Sequence, residues 1–285
     1  MPIESAFFLR ERKKRQRTFV LTIVAIIVTC VYAFPTVWLI LTSFKSRIDI
    51  FSIPPKFIFK PCLESYLYTF QRGHFFRTLL NSAFISFTSV LLAMVLTIFA
   101  AYAVSRMPFK GSNFVMFLIL SFRMMPAAVV VIPMFLLYRM LKLVNTYQGM
   151  ILLYTAFSVP FSMWMIKSFI DEVPRHLDDA ALSDGASVPR TIFSVVLPQL
   201  GPALVSVLLF NLIFVWNEFL FAYILTGIET RTIPAQIAVG IYTDKGVDWE
   251  YVTSLSTVFV SPILVIIFWL QKYLIRGLTF GTVKR

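Results

Sequence analysis

Charged side chains are scarce in this chain. Only 14% of its 285 residues are charged, whereas roughly 25% are charged in an average soluble domain. The scarcity excludes an ordinary soluble protein, and it accompanies a hydrophobic share of 58% and a mean hydropathy of +0.80. We therefore expect an integral membrane protein.

Acidic residues are the scarcer of the two charged classes. The chain has 14 of them against 26 Lys and Arg, which gives a net charge of +12. Such an excess can indicate nucleic-acid binding, but here the basic residues do not lie on a folded polar domain. The sequence predicts no nucleic-acid partner, and anionic lipid headgroups are the expected partner of the positive charge.

Cysteine and histidine are also rare. Cys30 lies in an apolar run and Cys62 in a polar loop, so the sequence predicts no internal disulfide and no cysteine metal pair. His176 has three Asp residues nearby in the sequence, yet one His among solvated Asp residues on a short helix is typical of a polar face. We expect no metal site.

Motifs for nucleotide binding and catalysis are missing. The chain has no G-x-x-x-x-G-K-[ST] loop, so it cannot cradle the phosphates of ATP. It also lacks H-E-x-x-H and G-x-S-x-G. The sequence predicts neither an enzyme nor a chain that binds a cofactor of its own.

Long apolar runs are what the chain does have. A bilayer core of roughly 30 Å takes about 20 helical residues, and each span must be a helix because lipid cannot satisfy backbone groups. Six runs of sufficient length occur: Phe19 to Leu41, Leu79 to Val104, Phe114 to Leu137, Met150 to Ile170, Leu200 to Leu225 and Leu255 to Leu274. They predict an all-α membrane protein with six transmembrane helices.

The two ends of the chain are basic. Residues 1–17 form a basic N-terminus, residues 18–275 the transmembrane domain and residues 276–285 a tail. Val31-Tyr32-Ala33 mimics a signal-peptide cleavage site, but the first apolar run continues to Leu41, which predicts an uncleaved span. With the N-terminus inside, the inner segments hold fifteen Lys and Arg and the outer loops ten. This bias, dense before the first span, predicts that both termini are cytoplasmic.

A polar stretch of about residues 171–198 separates the fourth and fifth runs. Pro174 suits a first helical turn, and Gly185 can adopt the left-handed conformation that ends a helix. We expect one helix from Pro174 to Ser183 and a second that Ser187 caps and Pro198 ends. The alternative is a helical hairpin on the membrane surface without a partner.

This stretch resembles the cytoplasmic loop signature of the permeases of binding-protein-dependent ABC importers. The matching residues are Asp179-Ala180-Ala181, Asp184-Gly185-Ala186, Phe193 and Leu197-Pro198. Asp179 stands where the family usually has Glu, which keeps the charge and shortens its reach. The resemblance implies the ABC importer permease fold and a coupling-helix loop that docks into a cleft of an ATP-hydrolysing subunit.

Two further stretches are similar to carbohydrate-importer permeases related to the smaller permease of the maltose system. One is Trp216 to Ala222, and the other is the tail with Gly277, Leu278, Thr279 and Gly281. Phe280 departs from the small residue usual there. The resemblance implies a tail that reaches between two nucleotide-binding subunits. The alternative is a basic tail that meets lipid phosphates.

The resemblance also implies partners. They are a second, different permease subunit, an ABC ATPase dimer that holds ATP and Mg²⁺, and an extracytoplasmic solute-binding protein that delivers a sugar. The outer loop from Gly227 to Tyr251 is the better candidate for contact with that protein. The expected location is the inner membrane of a bacterium. The alternative function is a secondary transporter driven by an ion gradient, which would need intramembrane carboxylates and internal repeats.

Four polar residues within the spans are candidates for the translocation path. A central charge costs roughly 2.5 to 3.5 kcal/mol on insertion scales, so Arg123 should face the protein interior or a water-filled path. Pro126 and Pro133 can kink the same span. We expect the following residues to border the path: Arg123, Asn211, Asn217 and Glu218. The alternative for Arg123 and Glu218 is a structural ion pair, and Arg123 would also suit an anionic sugar.

Overall fold

The computed structural model of the chain describes residues 2–72, 74–243 and 246–279, with side chains from residue 14 to residue 271 of that set. Most of this is helical, and the two strands have two residues each. The elements in chain order are α1 (Pro2–Ser43), α2 (Arg47–Ile50), α3 (Glu64–Gln71), α4 (Phe75–Arg106), α5 (Ser112–Phe122), α6 (Ala127–Met140), α7 (Tyr147–Glu172), α8 (Arg175–Ser183), α9 (Val188–Thr191), a π-helical turn (Ile192–Val196), α10 (Leu197–Gln199), α11 (Gly201–Trp216), α12 (Leu220–Leu225), α13 (Ile233–Gly240), β1 (Tyr242–Thr243), β2 (Gly246–Val247) and α14 (Trp249–Thr279).

Four helices of the described residues are long and apolar enough to cross a membrane by themselves. They comprise residues 14–43 of α1, all of α4 and α7, and residues 249–271 of α14. Two bent pairs raise the number to six if each pair is one span. Helices α5 and α6 meet at 91°, and the segment 188–199 meets α11 at 87°. The protein is therefore an all-α, multi-pass membrane protein by length and composition.

Two of the predicted spans are interrupted. The third was expected as one helix from Phe114 to Leu137, but α5 ends at Phe122 and α6 begins after Pro126. Pro126 cannot donate a backbone hydrogen bond, and its ring disfavours helical backbone in the preceding residue, so the chain turns there. The fifth span is also interrupted, because α11 ends at Trp216 and α12 begins only at Leu220.

The chain divides into two compact units. The first contains the chain up to Gln71 together with Asp248–Thr257. Within it, the hydroxyl groups of Thr69 and Ser254 are hydrogen-bonded at 2.5 Å. The ammonium group of Lys45, only 2% exposed, lies 4.0 Å from the centre of the Trp38 ring. Burial of a lysine is costly, and this cation–π contact offsets part of that cost.

The second unit contains Arg72–Val247 and the remainder of α14. Its core is the long pair α4 and α7, with α11 packed against both. Small polar residues such as Ser89, Ser158, Ser162 and Ser206 are fully buried in these helices. Small side chains let helices approach closely where lipid provides no hydrophobic driving force. Helix α5 also packs against α7, and α13 packs against α4.

Candidate coupling and transport sites

The first helix of the polar stretch is confirmed, one residue shorter than predicted. Helix α8 begins at Arg175, and Pro174 precedes it with extended backbone. Gly185 has φ +83°, a conformation that disfavours residues with a Cβ atom. The N–H of Gly185 bonds the carbonyl of Leu182, and the N–H of Ala186 bonds that of Ala181. Together these two bonds form the Schellman motif that closes a helix.

The second predicted helix differs in two respects. Ser187 occupies the N-cap position with extended backbone, but its side chain makes no capping hydrogen bond. Pro198 does not end the helix, which continues to Gln199. The cause is the π-helical turn, in which the N–H of Leu197 bonds the carbonyl of Ile192. Pro198 thereby enters the first turn of α10, where its missing N–H costs nothing.

Most of the predicted docking residues are uncovered in this chain. Six are exposed and three are half-buried. Phe193, with 55% of its surface exposed, forms a T-shaped pair with Phe99, and the two ring centroids are 5.8 Å apart. The exposed ones besides Phe193 are Asp179, Ala180, Asp184, Gly185 and Pro198, and the half-buried ones are Ala181, Ala186 and Leu197. We call these nine residues the docking face.

The opposite side of α8 is bound to the end of α4. The guanidinium group of Arg106 lies 2.9 Å from a carboxylate oxygen of Asp178, and it donates a hydrogen bond to the carbonyl of Val173 at 2.9 Å. Arg175 donates in return to the carbonyl of Ser105. Sequence reasoning missed this pairing. The available signal was an acidic residue on the inward face of a short helix.

A cavity of about 540 Å³ lies among α5, α6, α7, α11 and α12. Its walls are mostly apolar, and it contains the two charged residues predicted for the path. Arg123 donates from Nη1 to the carbonyl of Phe157 at 3.0 Å, and its guanidinium carbon lies 4.2 Å from the centre of the Phe214 ring. The one described hydrogen bond leaves most of the five guanidinium N–H groups available.

Glu218 lies on the same cavity, but it does not form an ion pair with Arg123 in the described part of the chain. Its carboxylate accepts hydrogen bonds from the hydroxyl of Tyr154 at 2.6 Å and from the N–H groups of Phe221 at 2.9 Å and Ala222 at 3.1 Å. Glu218 thus caps the start of α12. The alternative of a direct Arg123–Glu218 pair is therefore wrong.

The two asparagines are placed differently. Asn217 is exposed at the end of α11, where its amide donates to the carbonyl of Ile213 at 2.8 Å. Asn211 is fully buried between α11 and α7, where its amide donates to Ser162 at 2.8 Å and to the carbonyl of Val207 at 2.9 Å. The structure brings Arg123 and Glu218 together and keeps Asn211 away from their cavity.

Comparison with known proteins decides the family. The sequence model of the binding-protein-dependent transport system inner membrane component matches residues 93–280, which is more than half of the chain. The chain belongs to this family. It is a transport permease rather than an enzyme, and ATP hydrolysis resides on a separate subunit. The family match gives no support to a secondary transporter.

Relatives of this permease match over nearly its whole length. It is 35% identical to a probable ABC transporter permease of Sinorhizobium fredii over 89% of this chain and 91% of the relative. It is 33% identical to the trehalose/maltose transport system permease protein MalG of Thermococcus litoralis over 96% and 99%. The predicted resemblance to sugar ABC importer permeases is confirmed.

The fold of the permease also occurs in a solved transporter. The bacterial ABC transporter involved in import of the acidic polysaccharide alginate contains a chain with a TM-score of 0.76 and 20% identity, covering 92% of this chain and 98% of that one. This likeness shows the ABC permease fold and nothing about the substrate.

Part of the predicted tail contact falls outside the described residues. Gly277, Leu278 and Thr279 form the last turn of α14, and nothing is described of their side chains. Gly281 lies outside the described residues. The proposed contact of the tail with the nucleotide-binding subunits stays a prediction. Within the described ranges no three His, Cys, Asp or Glu residues approach one another as metal ligands.

Proposed function

We propose that this permease imports a sugar or sugar derivative across the inner membrane of a bacterium, with energy from ATP. The proposed substrate class rests on the names of its relatives, several of which are sugar permeases. One is a trehalose/maltose permease, another an arabinooligosaccharide permease and a third a diacetylchitobiose permease. Each alignment covers at least 92% of this chain. Mono- and oligosaccharides, polyols and glycosides all fall within the proposal.

The assembly that we propose contains two different permease chains, two ABC ATPase subunits with ATP and Mg²⁺, and an extracytoplasmic binding protein. Six spans place both termini on the same side of the membrane, and the dense Lys and Arg residues before the first span favour the cytoplasmic side. The docking face, on which Asp179, Ala180, Asp184 and Gly185 are among the exposed residues, then lies beneath the membrane. The tail around Gly277 approaches the ATPase subunits from the same side.

The cavity around Arg123 is our candidate for a part of the translocation path. Ligand cavities are mostly apolar and aromatic with a few placed polar groups, and this one combines Phe122, Phe157 and Phe214 with Arg123 and Glu218. A guanidinium fork can donate to two oxygens of one ligand. Asn217 lies next to Glu218, whereas Asn211 would reach the path only if α7 and α11 separate.

Reconstitution tests the function directly. We expect proteoliposomes with both permeases and the ATPase to take up a sugar, selected by screening the companion binding protein against a panel, only when ATP is inside and the loaded binding protein is outside. Collapse of ion gradients should leave uptake unchanged. Uptake that follows an ion gradient without ATP would refute ATP-driven import, and delivery of a ligand unrelated to sugars would refute the substrate class.

Substitutions of Arg123 test its place on the path. We expect Arg123→Gln to lower the initial rate of sugar uptake about tenfold, which corresponds to about 1.4 kcal/mol. The uptake rate of Arg123→Lys should lie between those of the native permease and Arg123→Gln, because lysine keeps the charge and loses the planar fork. Arg139→Gln is the matched control, since Arg139 is exposed on α6. Equal uptake by Arg123→Gln and Arg139→Gln would remove Arg123 from the path.

A further inference from the structure

Helix α4 is not directly connected through the backbone to the polar stretch that carries the docking face. Helix α8 is linked through the backbone to α7 before it and to α9 and α11 after it, whereas α4 ends at Arg106 and leads to α5. The backbone therefore links the docking face directly to α7 and α11, and α4 would follow it only through its packing against these two helices. The contacts of Arg106 and Arg175 join it to α4 as well.

These contacts are reciprocal. Arg106 on α4 contacts Asp178 and the carbonyl of Val173, each at 2.9 Å, while Arg175 on α8 contacts the carbonyl of Ser105 on α4 at 3.0 Å. The side chains of Arg106 and Asp178 are only 7% and 5% exposed. A buried ion pair resists separation because each charge loses its compensation without the other. The end of α4 and the start of α8 must therefore move together.

The other end of α4 is bound to the segment that follows α12. Asn81, 3% exposed, donates to the carbonyls of Glu229 at 2.9 Å and Arg231 at 3.0 Å and accepts from the hydroxyl of Tyr147 at 2.7 Å. The hydroxyl of neighbouring Ser82 accepts from the N–H of Ile233 at 2.8 Å. This segment belongs to the loop that we expect to meet the binding protein.

We propose that α4 is a rigid strut that couples the docking face to the outer loop, with the Arg106–Asp178 pair and Asn81 as its two attachments. A helix of 32 residues is about 48 Å long, enough to span a membrane. Arg106, Asp178 and Asn81 are positioning residues, since none of them lies on the docking face or the cavity. The strut rests on the proposed function, because it needs an ATPase at one end and a binding protein at the other.

The test uses the complete reconstituted transporter. In the native complex the loaded binding protein, added outside, should stimulate ATP hydrolysis inside. We expect Asp178→Asn to abolish this stimulation and to lower uptake per ATP hydrolysed about tenfold, while basal hydrolysis stays within about twofold of native. Asp178→Glu, which keeps the charge, should recover part of the stimulation. A purely structural role would lower the amount of assembled complex without changing uptake per ATP.

Asn81→Ala provides an independent variant at the far end of α4. We expect the same loss of stimulation, and the double variant Asn81→Ala with Asp178→Asn should be no worse than either single one, because attachments in series are not additive. Lys167→Gln is the matched control, since it breaks an ion pair with Asp171 that is partly exposed and worth little.

The outcomes separate the strut from the proposed function. The strut would be overturned if Asn81→Ala kept the native stimulation of ATP hydrolysis and the native uptake per ATP. The same result in Asp178→Asn would also overturn it. If Asp178→Asn does not assemble with the ATPase, the measurements on Asn81→Ala alone decide whether α4 is a strut. In each of these cases the native complex still imports with ATP, so the proposed function stands. Only a native complex without ATP-dependent uptake would refute the proposed function.

Discussion

Gly185→Val is expected to leave the permease in the membrane and to abolish most of its transport. Gly185 ends α8 with φ +83°, and a Cβ atom built on it meets nothing within 4 Å. The penalty is therefore one of backbone conformation, roughly 1 to 2 kcal/mol for an ordinary side chain in the left-handed region, and larger for a β-branched one. The turn should rearrange and displace Asp184 and Ala186 from the docking face.

In this variant, ATP hydrolysis should no longer be coupled to sugar uptake. We expect sugar uptake by Gly185→Val to fall more than about tenfold while ATP hydrolysis by the complex persists, because a displaced docking face cannot pass on the motion. Gly185→Asn is the matched control, since Asn tolerates left-handed backbone better than other residues, and it should retain most uptake. Normal uptake by Gly185→Val would count heavily against a coupling role for this turn.

Glu218→Ala should produce the largest loss of stability among substitutions at the cavity. Its carboxylate accepts from the Tyr154 hydroxyl, which is almost fully buried, and from two N–H groups at the start of α12. A buried donor left without a partner costs about 1 to 3 kcal/mol, so three donors together justify an expected loss of several kcal/mol. Helix α12 should fray from its first turn.

The measurement is the thermal unfolding midpoint of the purified transporter, together with the rate of sugar uptake. Glu218→Gln is the control, because the amide oxygen can still accept from the backbone of α12. It should recover most of the midpoint, and it should also lower uptake if the charge itself serves the path. An unchanged midpoint in Glu218→Ala would show that the three hydrogen bonds contribute little.

The polar stretch was predicted well because its determinants are local. Pro174 and Gly185 fix a helix start and a helix end through their own backbone preferences, and the observed α8 begins one residue after Pro174. The end at Pro198 was predicted wrongly, since a single extra residue per turn in the π-helical segment moved the proline into the next helix. Nothing in the local pattern distinguishes that turn from an ordinary one.

Arg123 and Glu218 could be singled out from the sequence because a charge in an apolar run is expensive. Their partners were not found. Arg123 bonds a carbonyl 34 residues away and Arg106 contacts a carbonyl 67 residues away, and such pairings depend on how helices pack. The contact of Glu218 with the N–H of Phe221, three residues on, is the kind of partner that a capping rule could have predicted.

Cysteine cross-linking tests most directly whether the docking face meets an ATPase. In a chain with Cys30 and Cys62 replaced by Ser, Ala180→Cys places a thiol on the exposed part of α8, and Lys56→Cys places one in the first outer loop as a control. We predict that a short bifunctional reagent links the permease to the ATPase subunit through position 180 and not through position 56, in a complex that still imports sugar. Sugar import by a complex in which position 180 never yields that product would contradict the proposed coupling.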